Sequence, residues 1–286
     1  MSAIKVVTDS TSDLSSGLMS KFGIGIIPLT VNIGNQFFAD KIDISSGEFF
    51  TKLQKEDELP TTSQPAIGKF KEKYLQLAEE YEIIISIHLS SELSGTYKTA
   101  QLAADAVMEK VDVDIRVVDS KSISLGLGFL AIYAAEAVKQ GKDIEEIMDG
   151  IKLRQESVDI LFTIDTLDYL QKGGRIGKAK AFLGNLFNIK PILKVDEQGG
   201  VAFHSKVRGK KRLFKKVKRL VKRKLKERTL DFPPKLALLH GAAINDLREL
   251  QSEIIDLADW DSVVVSEIGP VIGTHVGPGA LGVIIL

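Results

Sequence analysis

Two hydroxyl-rich segments are the parts of this chain best suited to hold a small ligand. They are Thr61-Thr62-Ser63-Gln64-Pro65 and, further along, Ser90-Ser91-Glu92-Leu93-Ser94-Gly95-Thr96. Hydroxyl groups and free amides at two converging helix starts would bind one small anionic or carboxyl group. Neither segment contains Lys or Arg, so a polyphosphate would be poorly neutralised there. The alternative, that these residues only cap their own helices, stays open at this point.

Each of the two segments is predicted to precede a helix. Ser63, with Pro65 just behind it, has the pattern of a helix cap before a helix at Ile67–Leu77, because proline suits a first turn whose amides lack partners. Ser94-Gly95-Thr96 likewise precedes a predicted helix at Tyr97–Met108. The polar residues would then lie where the chain enters each helix.

The first half of the chain alternates short apolar runs with amphipathic segments. The predicted strands are Ile4–Val7, Ile24–Leu29, Ile83–Ile87 and Ile115–Val118. This alternation is typical of a mainly parallel sheet with helices on both faces. Ligands in such folds bind beyond the carboxyl ends of the strands, where Asp9, Ser10, Ser94 and Ser120 are predicted to lie.

The second half of the chain mixes shorter strands with helices. Asp196-Glu197-Gln198-Gly199-Gly200 has the composition of a hairpin turn, so part of this sheet is predicted to be antiparallel. We place a domain boundary near residue 158. The predicted fold class is α/β, with an N-terminal α/β domain at 1–158, built on a doubly wound parallel sheet, and a C-terminal α/β domain at 159–286, built on a mixed sheet with helices.

The composition is that of a soluble globular protein, with 44% hydrophobic and 27% charged residues. The absence of cysteine excludes disulfides, zinc sites built on cysteine and thiol catalysis. The start of the chain lacks a secretory apolar region, and the uncharged stretch Ser122–Ala135 is shorter than the about twenty residues that a membrane span needs. We therefore expect a cytoplasmic protein.

A net charge of zero hides one strongly basic segment. The stretch from Lys206 to Arg228 contains fourteen Lys or Arg and one acid, so it carries +13 and the rest of the chain carries −13. Apolar residues recur on one face of the predicted helix Lys210–Glu227, which favours a helix packed on its domain with a charged outer face. A transient contact of Lys210–Arg228 with an anionic membrane surface is the alternative. The acidic remainder argues against a nucleic-acid partner, and none is expected.

Two glycine-rich segments resemble nucleotide motifs but lack their context. Gly277-Pro278-Gly279-Ala280-Leu281-Gly282 matches G-x-G-x-x-G, yet the chain ends four residues later, where a helix and an acid should follow. Lys172–Lys178 lacks the spacer of a phosphate loop and has Ala179 in place of the magnesium-binding hydroxyl. Arg175 between glycines is instead interpreted as either a partner-docking residue or an ordinary surface arginine.

The four histidines are too dispersed for a metal site, so no metal and no cofactor are expected. His275 stands in a glycine-rich segment where the backbone can approach a ligand closely, and it could donate a hydrogen bond to a carboxyl group. The alternative, a packed or surface histidine without a ligand, stays open at this point. No serine lies in a G-x-S-x-G context, so no catalytic residue is assigned. A hydrolase or transferase that acts on a carboxylated substrate through Ser94 and His275 remains the competing hypothesis.

Six segments along the whole chain together resemble one protein family. They are Thr8-Asp9-Ser10-Thr11-Ser12-Asp13-Leu14, Thr62-Ser63-Gln64-Pro65, Leu93-Ser94-Gly95-Thr96-Tyr97, Val117-Val118-Asp119-Ser120, Gly173-Gly174-Arg175-Ile176 and Thr274-His275-Val276-Gly277-Pro278-Gly279. In this order they resemble the DegV family, which comprises bacterial fatty-acid-binding proteins. Ala66 departs from the family pattern, because many relatives have serine there.

The resemblance implies two α/β domains that enclose a long-chain fatty acid between them. By motif, Thr62 and Ser94 would hydrogen-bond its carboxylate with His275 close by, and Ser63, Gly95 and Thr96 are secondary candidates. The resemblance also implies that the protein is not itself an enzyme. It would present the carboxylate to a separate ATP-dependent fatty acid kinase, which forms the acyl phosphate and docks at Arg175.

Overall fold

The computed structural model describes residues 3–55, 58–182 and 189–286. Along the chain its strands are β1 (Ile4–Asp9), β2 (Gly25–Ile27), β3 (Thr30–Ile33), β4 (Gln36–Ala39), β5 (Thr61–Ser63), β6 (Ile83–His88), β7 (Asp114–Asp119), β8 (Asp159–Thr163), β9 (Ile189–Val195), β10 (Val201–Arg208), β11 (Lys235–His240), β12 (Ser262–Glu267) and β13 (Leu281–Ile285). Its α-helices are α1 (Ser16–Phe22), α2 (Ser46–Leu53), α3 (Ile67–Ala78), α4 (Thr96–Met108), α5 (Ser124–Lys139), α6 (Ile144–Gln155), α7 (Asp168–Lys172), α8 (Lys210–Glu227), α9 (Ile244–Ile254) and α10 (Pro270–Val276).

The first half is built on a four-stranded sheet with the order β2-β1-β6-β7, in which all three pairings are parallel. The central strands β1 and β6 are largely buried because α5 packs on both of them and α3 and α4 pack on β6, which explains the apolar run Ile83–Ile85 in β6. The predicted parallel α/β architecture of this half is confirmed.

The second half is built on a six-stranded mixed sheet with the order β10-β9-β8-β13-β11-β12. Only β11 and β12 pair in parallel, and the predicted hairpin joins β9 to β10. The strands of the two larger sheets are separate in sequence, since β7 ends at Asp119 and β8 begins at Asp159. The domain boundary at residue 158 stays a prediction.

A third sheet, which the sequence did not predict, lies within the first half. It is antiparallel and has the order β4-β3-β5. The predicted strand Ile24–Leu29 is only three residues long as β2, and Pro28, which has no amide N–H, separates it from β3. The chain then forms its own small sheet instead of continuing the parallel one.

The prediction that Ser63 caps the following helix is wrong. Thr61–Ser63 is the short strand β5, in which Thr62 lies opposite Val31 of β3. Threonine is β-branched and favours an extended backbone, so this segment pairs as a strand. The helix α3 begins only after Ala66, whose methyl group cannot form the capping hydrogen bond that serine would supply.

The helix α5 connects the cores of the two halves. It is buried on nearly all sides, and it packs on β1 and β6 of the parallel sheet and on β13 of the mixed sheet. A helix that is apolar all round has to be enclosed in this way. Within residues 3–55, 58–182 and 189–286, no helix has both the length and the apolar character needed to cross a bilayer.

The basic helix α8 forms over the predicted residues and packs as predicted. Its buried face consists of Leu213, Phe214, Val217, Leu220 and Val221. On the outer side, lysines pair with acids of neighbouring elements: Lys210 with Asp246 at 2.6 Å, Lys218 with Glu253 at 3.1 Å and Lys224 with Asp159 at 2.6 Å. Exposed pairs of this kind contribute at most about 1 kcal/mol each, so the apolar face holds the helix in place.

Candidate functional site

A cavity of about 270 Å³ lies between the two larger sheets and has mostly apolar walls. The first half contributes Leu29, Leu89 and Ile123, and the second half contributes Phe162 and Val201. Its volume is close to the lower end of the about 300–1,000 Å³ usual for small-molecule sites. Walls in which apolar side chains predominate suit a ligand with a hydrocarbon part.

Polar side chains from distant parts of the sequence line this cavity. They are Thr11, Thr62, Ser63, Gln64, Ser94, Arg175 and His275. The structure therefore brings together Thr62, Ser94 and His275, which the family resemblance singled out. Of the secondary candidates only Ser63 is among the lining residues. Gly95 lies at the start of α4 and Thr96 is buried in its first turn.

Thr62 and His275 form a polar contact between the two halves of the site. The Oγ1 atom of Thr62 lies 2.9 Å from Nε2 of His275. Burial, with the positive charge of Arg175, lowers the pKa of His275 to about 4, so its ring is neutral at neutral pH. Within the described residues, Nδ1 of His275 has no hydrogen-bond partner.

Ser94 lies at the entrance to α4 and is held by its own turn. Its Oγ lies 2.9 Å from Oγ1 of Thr96 and accepts the Thr96 amide at 3.3 Å. Gly95 allows the side chain of Gln64 to pack directly over this turn, because a β-carbon at Gly95 would overlap with the Gln64 amide. Gln64 in turn donates from Nε2 to Thr99 Oγ1 at 2.7 Å, which ties the first hydroxyl-rich segment to α4.

Arg175 lines the same cavity as these hydroxyl groups, although the sequence analysis interpreted it as a docking residue or an ordinary surface arginine. Its Nε donates to the Leu93 carbonyl at 3.2 Å and its Nη1 to the Gly173 carbonyl at 2.7 Å. These bonds hold the guanidinium at the edge of the cavity, where its charge also acts on His275. The two hydroxyl-rich segments contain no cation, but the fold supplies one from a loop some distance away in sequence.

A second buried polar network contains an arrangement of Ser, His and Asp that sequence spacing did not reveal. Asp9 Oδ2 lies 3.0 Å from His88 Nδ1, and His88 Nε2 lies 2.7 Å from Ser86 Oγ. Ser86 is fully buried and also bonds to Tyr74 at 2.7 Å, so its hydroxyl is not available to a substrate. The network instead holds the end of β1, where Asp9 accepts the Thr11 hydroxyl at 2.5 Å and so orients a residue of the cavity wall.

Another cleft, of about 950 Å³, lies elsewhere and suits a ligand less well. It is lined by side chains of both charge signs, several of them already paired, such as Lys224 with Asp159. Within the described ranges, no group of three or more His, Cys, Asp or Glu side chains could hold a metal ion. The smaller apolar cavity with its converging hydroxyl groups is therefore the candidate site.

Known proteins share both the sequence and the architecture of this chain. A DegV domain-containing protein from Clostridium perfringens is 37% identical over 282 residues, which cover 98% of each chain. Another, from Clostridium acetobutylicum, is 34% identical over 286 residues and covers all of this chain and 99% of the relative.

Solved structures agree with this relationship. A DegV family protein from Thermus thermophilus, described by its fatty acid binding, superposes with a TM-score of 0.92 at 32% identity over 99% of both chains. DegV from Bacillus subtilis, described as a fatty acid binding protein, superposes with a TM-score of 0.90 at 33% identity over 100% of this chain and 99% of that one. The sequence model described as "Uncharacterised protein, DegV family" matches residues 3–286. The chain therefore belongs to the DegV family.

Proposed function

We propose that this protein binds a long-chain fatty acid in the apolar cavity and presents its carboxylate to a separate ATP-dependent fatty acid kinase. The observation that carries the proposal is the convergence of Thr62, Ser94 and His275 on one cavity with apolar walls. Family membership supports it, because the similar proteins from Thermus thermophilus and Bacillus subtilis are both described by fatty acid binding.

The acyl chain would supply most of the binding free energy. Burial of each methylene contributes about 0.8 kcal/mol, so a long tail binds tightly without a salt bridge at its carboxylate. Thr62 and Ser94 would donate hydroxyl hydrogen bonds to the carboxylate, with neutral His275 behind Thr62. Each such bond to a charged group contributes about 1.5–3 kcal/mol.

The same arrangement suits transfer of a phosphoryl group by a partner. A carboxylate held by neutral hydroxyl groups keeps electron density on its oxygens and can attack the γ-phosphorus of the partner's ATP, which releases ADP and leaves an acyl phosphate. Arg175, which lines the cavity together with the hydroxyl groups, is the proposed kinase contact, and a guanidinium there could also bind the transferred phosphate. In this proposal the kinase supplies the nucleotide site, and the chain itself is a carrier.

Native mass spectrometry of the purified protein, followed by lipid extraction, tests the binding step. We expect a long-chain fatty acid at one per chain. Repeated extraction without any fatty acid, together with no rise in melting temperature on adding one, would show that the proposal is wrong.

Two substitutions test the carboxylate contacts. Thr62→Val combined with Ser94→Ala removes both hydroxyl groups and should weaken binding by about ten-fold or more for each lost bond. Thr61→Val is the matched control, because Thr61 lies next to Thr62 in β5, is exposed, and is not among the lining residues of the cavity. Equal fatty acid affinity in all variants would show that the carboxylate binds at another place.

The competing hydrolase hypothesis needs Ser94 next to a base. In the described residues Ser94 bonds to Thr96, and the His275 ring faces Thr62 instead. This geometry favours the carrier. Turnover of acyl esters by the purified protein without kinase, abolished by Ser94→Ala, would favour the hydrolase.

A transient contact of Lys210–Arg228 with an anionic membrane surface is a second proposal, which the net charge of +13 between Lys206 and Arg228 favours. The apolar face of α8 is packed inside the protein, so such a contact would be purely electrostatic. Binding to vesicles that contain anionic lipid should then disappear at high salt, and vesicles of neutral lipid should not bind.

A further inference from the structure

Two buried carboxylates meet at the start of α10, the helix that carries His275. Asp13 and Asp40 are 0% and 1% exposed. Asp13 Oδ1 accepts the amide of Gly269 at 2.9 Å, and Asp40 Oδ1 accepts the amide of Val271 at 3.4 Å. Both carboxylates belong to the first half of the chain. They therefore hold a helix of the second half through hydrogen bonds to its N-terminal backbone.

Strained backbone surrounds the same point. Asp13, Lys41 and Ser124 all have positive φ angles, of 53°, 61° and 53°. Lys41 Nζ lies 3.1 Å from Asp13 Oδ1, and the Ser124 hydroxyl donates to Asp13 Oδ2 at 2.5 Å. Non-glycine residues in this conformation are uncommon and cost free energy. They persist where surrounding contacts stabilise them, and they cluster at functional sites.

The helix that these carboxylates hold forms one wall of the cavity. Val271 and Ile272 of its first turn and His275 of its last turn all line the cavity. A shift of α10 would therefore move both the apolar wall and the histidine that contacts Thr62. The contacts of Asp13 and Asp40 lie outside the cavity, so they act on the ligand only through this helix.

We propose that Asp13 and Asp40 are positioning residues that hold α10 in the geometry that binds the ligand. This inference rests on the proposed function for its ligand, but the hold on α10 can be measured without one. Asp13 contributes a contact in which Lys41, the Ser124 hydroxyl and the Gly269 amide together occupy both of its carboxylate oxygens. Asp40 contributes a contact that depends on its ionisation.

The surroundings of Asp40 explain that dependence. The groups that face it are the Ser10 hydroxyl, the Val271 amide, Asp13 and Lys41. Burial is the main cause that raises the pKa of Asp40 to about 6, and its Oδ2 has no partner in the described part of the chain. Because an ionised carboxylate accepts an amide hydrogen bond more strongly than a protonated one, the hold on Val271 should weaken as the pH falls through about 6.

The test compares wild type, Asp40→Asn and the control Asp43→Asn. Asp43 lies on the same segment and accepts the Ala39 amide at 2.8 Å, but it is exposed and has no bond to α10 in the described residues. The probe is a long-chain alkyl sulfonate, whose head group stays ionised, so that the ligand itself does not titrate between about pH 5 and pH 8.

In wild type and Asp43→Asn we expect affinity for the alkyl sulfonate to fall about five-fold as the pH drops through about 6, the factor that corresponds to about 1 kcal/mol. Asp40→Asn should lose this step and bind with the lower affinity at every pH. If Asp40 had a purely structural role, Asp40→Asn would change the affinity by the same factor at every pH, and the drop in affinity near pH 6 would remain. A step that survives in Asp40→Asn overturns the inference.

Amide hydrogen exchange without ligand gives the second readout. The Val271 amide should exchange several-fold faster in Asp40→Asn than in wild type, whereas the Leu239 amide in β11 should not change. If no lipid binds to any variant but Val271 exchange accelerates, the proposed function fails and the hold on α10 stands. Unchanged Val271 exchange overturns the inference whether or not lipid binds.

Discussion

The hydroxyl of Thr62 and the ring of His275 are in hydrogen-bond contact at 2.9 Å although 213 positions separate them in the sequence. The low pKa of His275, about 4, leaves one proton on its ring at neutral pH. If Nε2 carries that proton, the ring donates to Thr62, and the Thr62 hydroxyl is free to donate to a carboxylate. In this form Nδ1, which has no hydrogen-bond partner within the described residues, carries no proton that would need an acceptor.

We therefore predict that His275 is neutral, with its proton on Nε2, between about pH 5 and pH 8. Nitrogen-15 NMR of the histidine rings should show a protonated Nε2 and a bare Nδ1 for His275 across this range. Thr62→Val should change the Nε2 resonance most strongly. A ring that titrates near the ordinary histidine pKa of about 6.5 would contradict this assignment.

Gly173 is predicted to be essential for the position of His275. A β-carbon at Gly173 would overlap with Nδ1 of His275 and lie 2.9 Å from the Tyr169 carbonyl. Gly173→Ala should therefore cost about 1–3 kcal/mol of unfolding free energy and weaken fatty acid binding, because the ring has to move away from Thr62. Denaturant unfolding and binding titrations measure the two effects.

Gly68→Ala is the matched control for this substitution. Gly68 lies in α3 with no atom within 4 Å of a built β-carbon, so alanine should stabilise the helix slightly. Equal stability and affinity in Gly173→Ala and Gly68→Ala would show that the ring does not depend on this glycine.

Local sequence patterns were sufficient to predict the elements that have one strong periodicity. The central strand β6 begins with three consecutive apolar residues, and the basic helix α8 repeats its buried residues every three or four positions. The small antiparallel sheet was missed, because β5 is only three polar residues long and pairs with β3 from a distant part of the sequence. The stability of this sheet comes from the pairing of β5 with β3, and the strand propensity of a short segment does not predict such a pairing.

The composition of the site was predicted only in part. Thr62, Ser94 and His275 were identified through family motifs, whereas Arg175 was not placed beside them, because its loop approaches the hydroxyl groups only in the folded chain. The contact of Asp13 with Gly269 joins residues 256 positions apart, and no spacing rule anticipates it. The sequence did indicate that the polar turn after β1 is functional, because Asp9 and Ser10 were predicted to lie at the carboxyl end of a strand.

The opposite pKa shifts of Asp40 and His275 predict compensating effects on stability. Asp40 has a raised pKa, so its contribution is fully present below about pH 4 and is lost as the pH rises through about 6. His275 has a lowered pKa, so its contribution is present above about pH 6.5 and is lost as the pH falls through about 4. Each shift corresponds to up to about 3 kcal/mol.

Between about pH 4 and pH 6 the two contributions should largely cancel in wild type. Asp40→Asn should therefore lose unfolding free energy on acidification, relative to wild type, and His275→Gln should gain it. Denaturant unfolding at a series of pH values measures both differences. Profiles that run parallel to wild type in both variants would show that neither group titrates as described.

The last prediction concerns Arg175 and separates docking from ligand binding. Its Nε and Nη1 are bonded to the Leu93 and Gly173 carbonyls, while Nη2 has no hydrogen bond within the described residues. Arg175→Lys keeps the charge but loses this forked geometry. If Arg175 docks the kinase, the variant should bind fatty acid within about two-fold of wild type, yet need about ten-fold more carrier for half-maximal acyl phosphate formation. Lys172→Ala removes a charge from the same turn and serves as the control. Equal losses in fatty acid affinity and in phosphorylation would assign Arg175 to the carboxylate site. Normal rates of acyl phosphate formation at limiting carrier concentration would show that Arg175 is not part of the kinase interface.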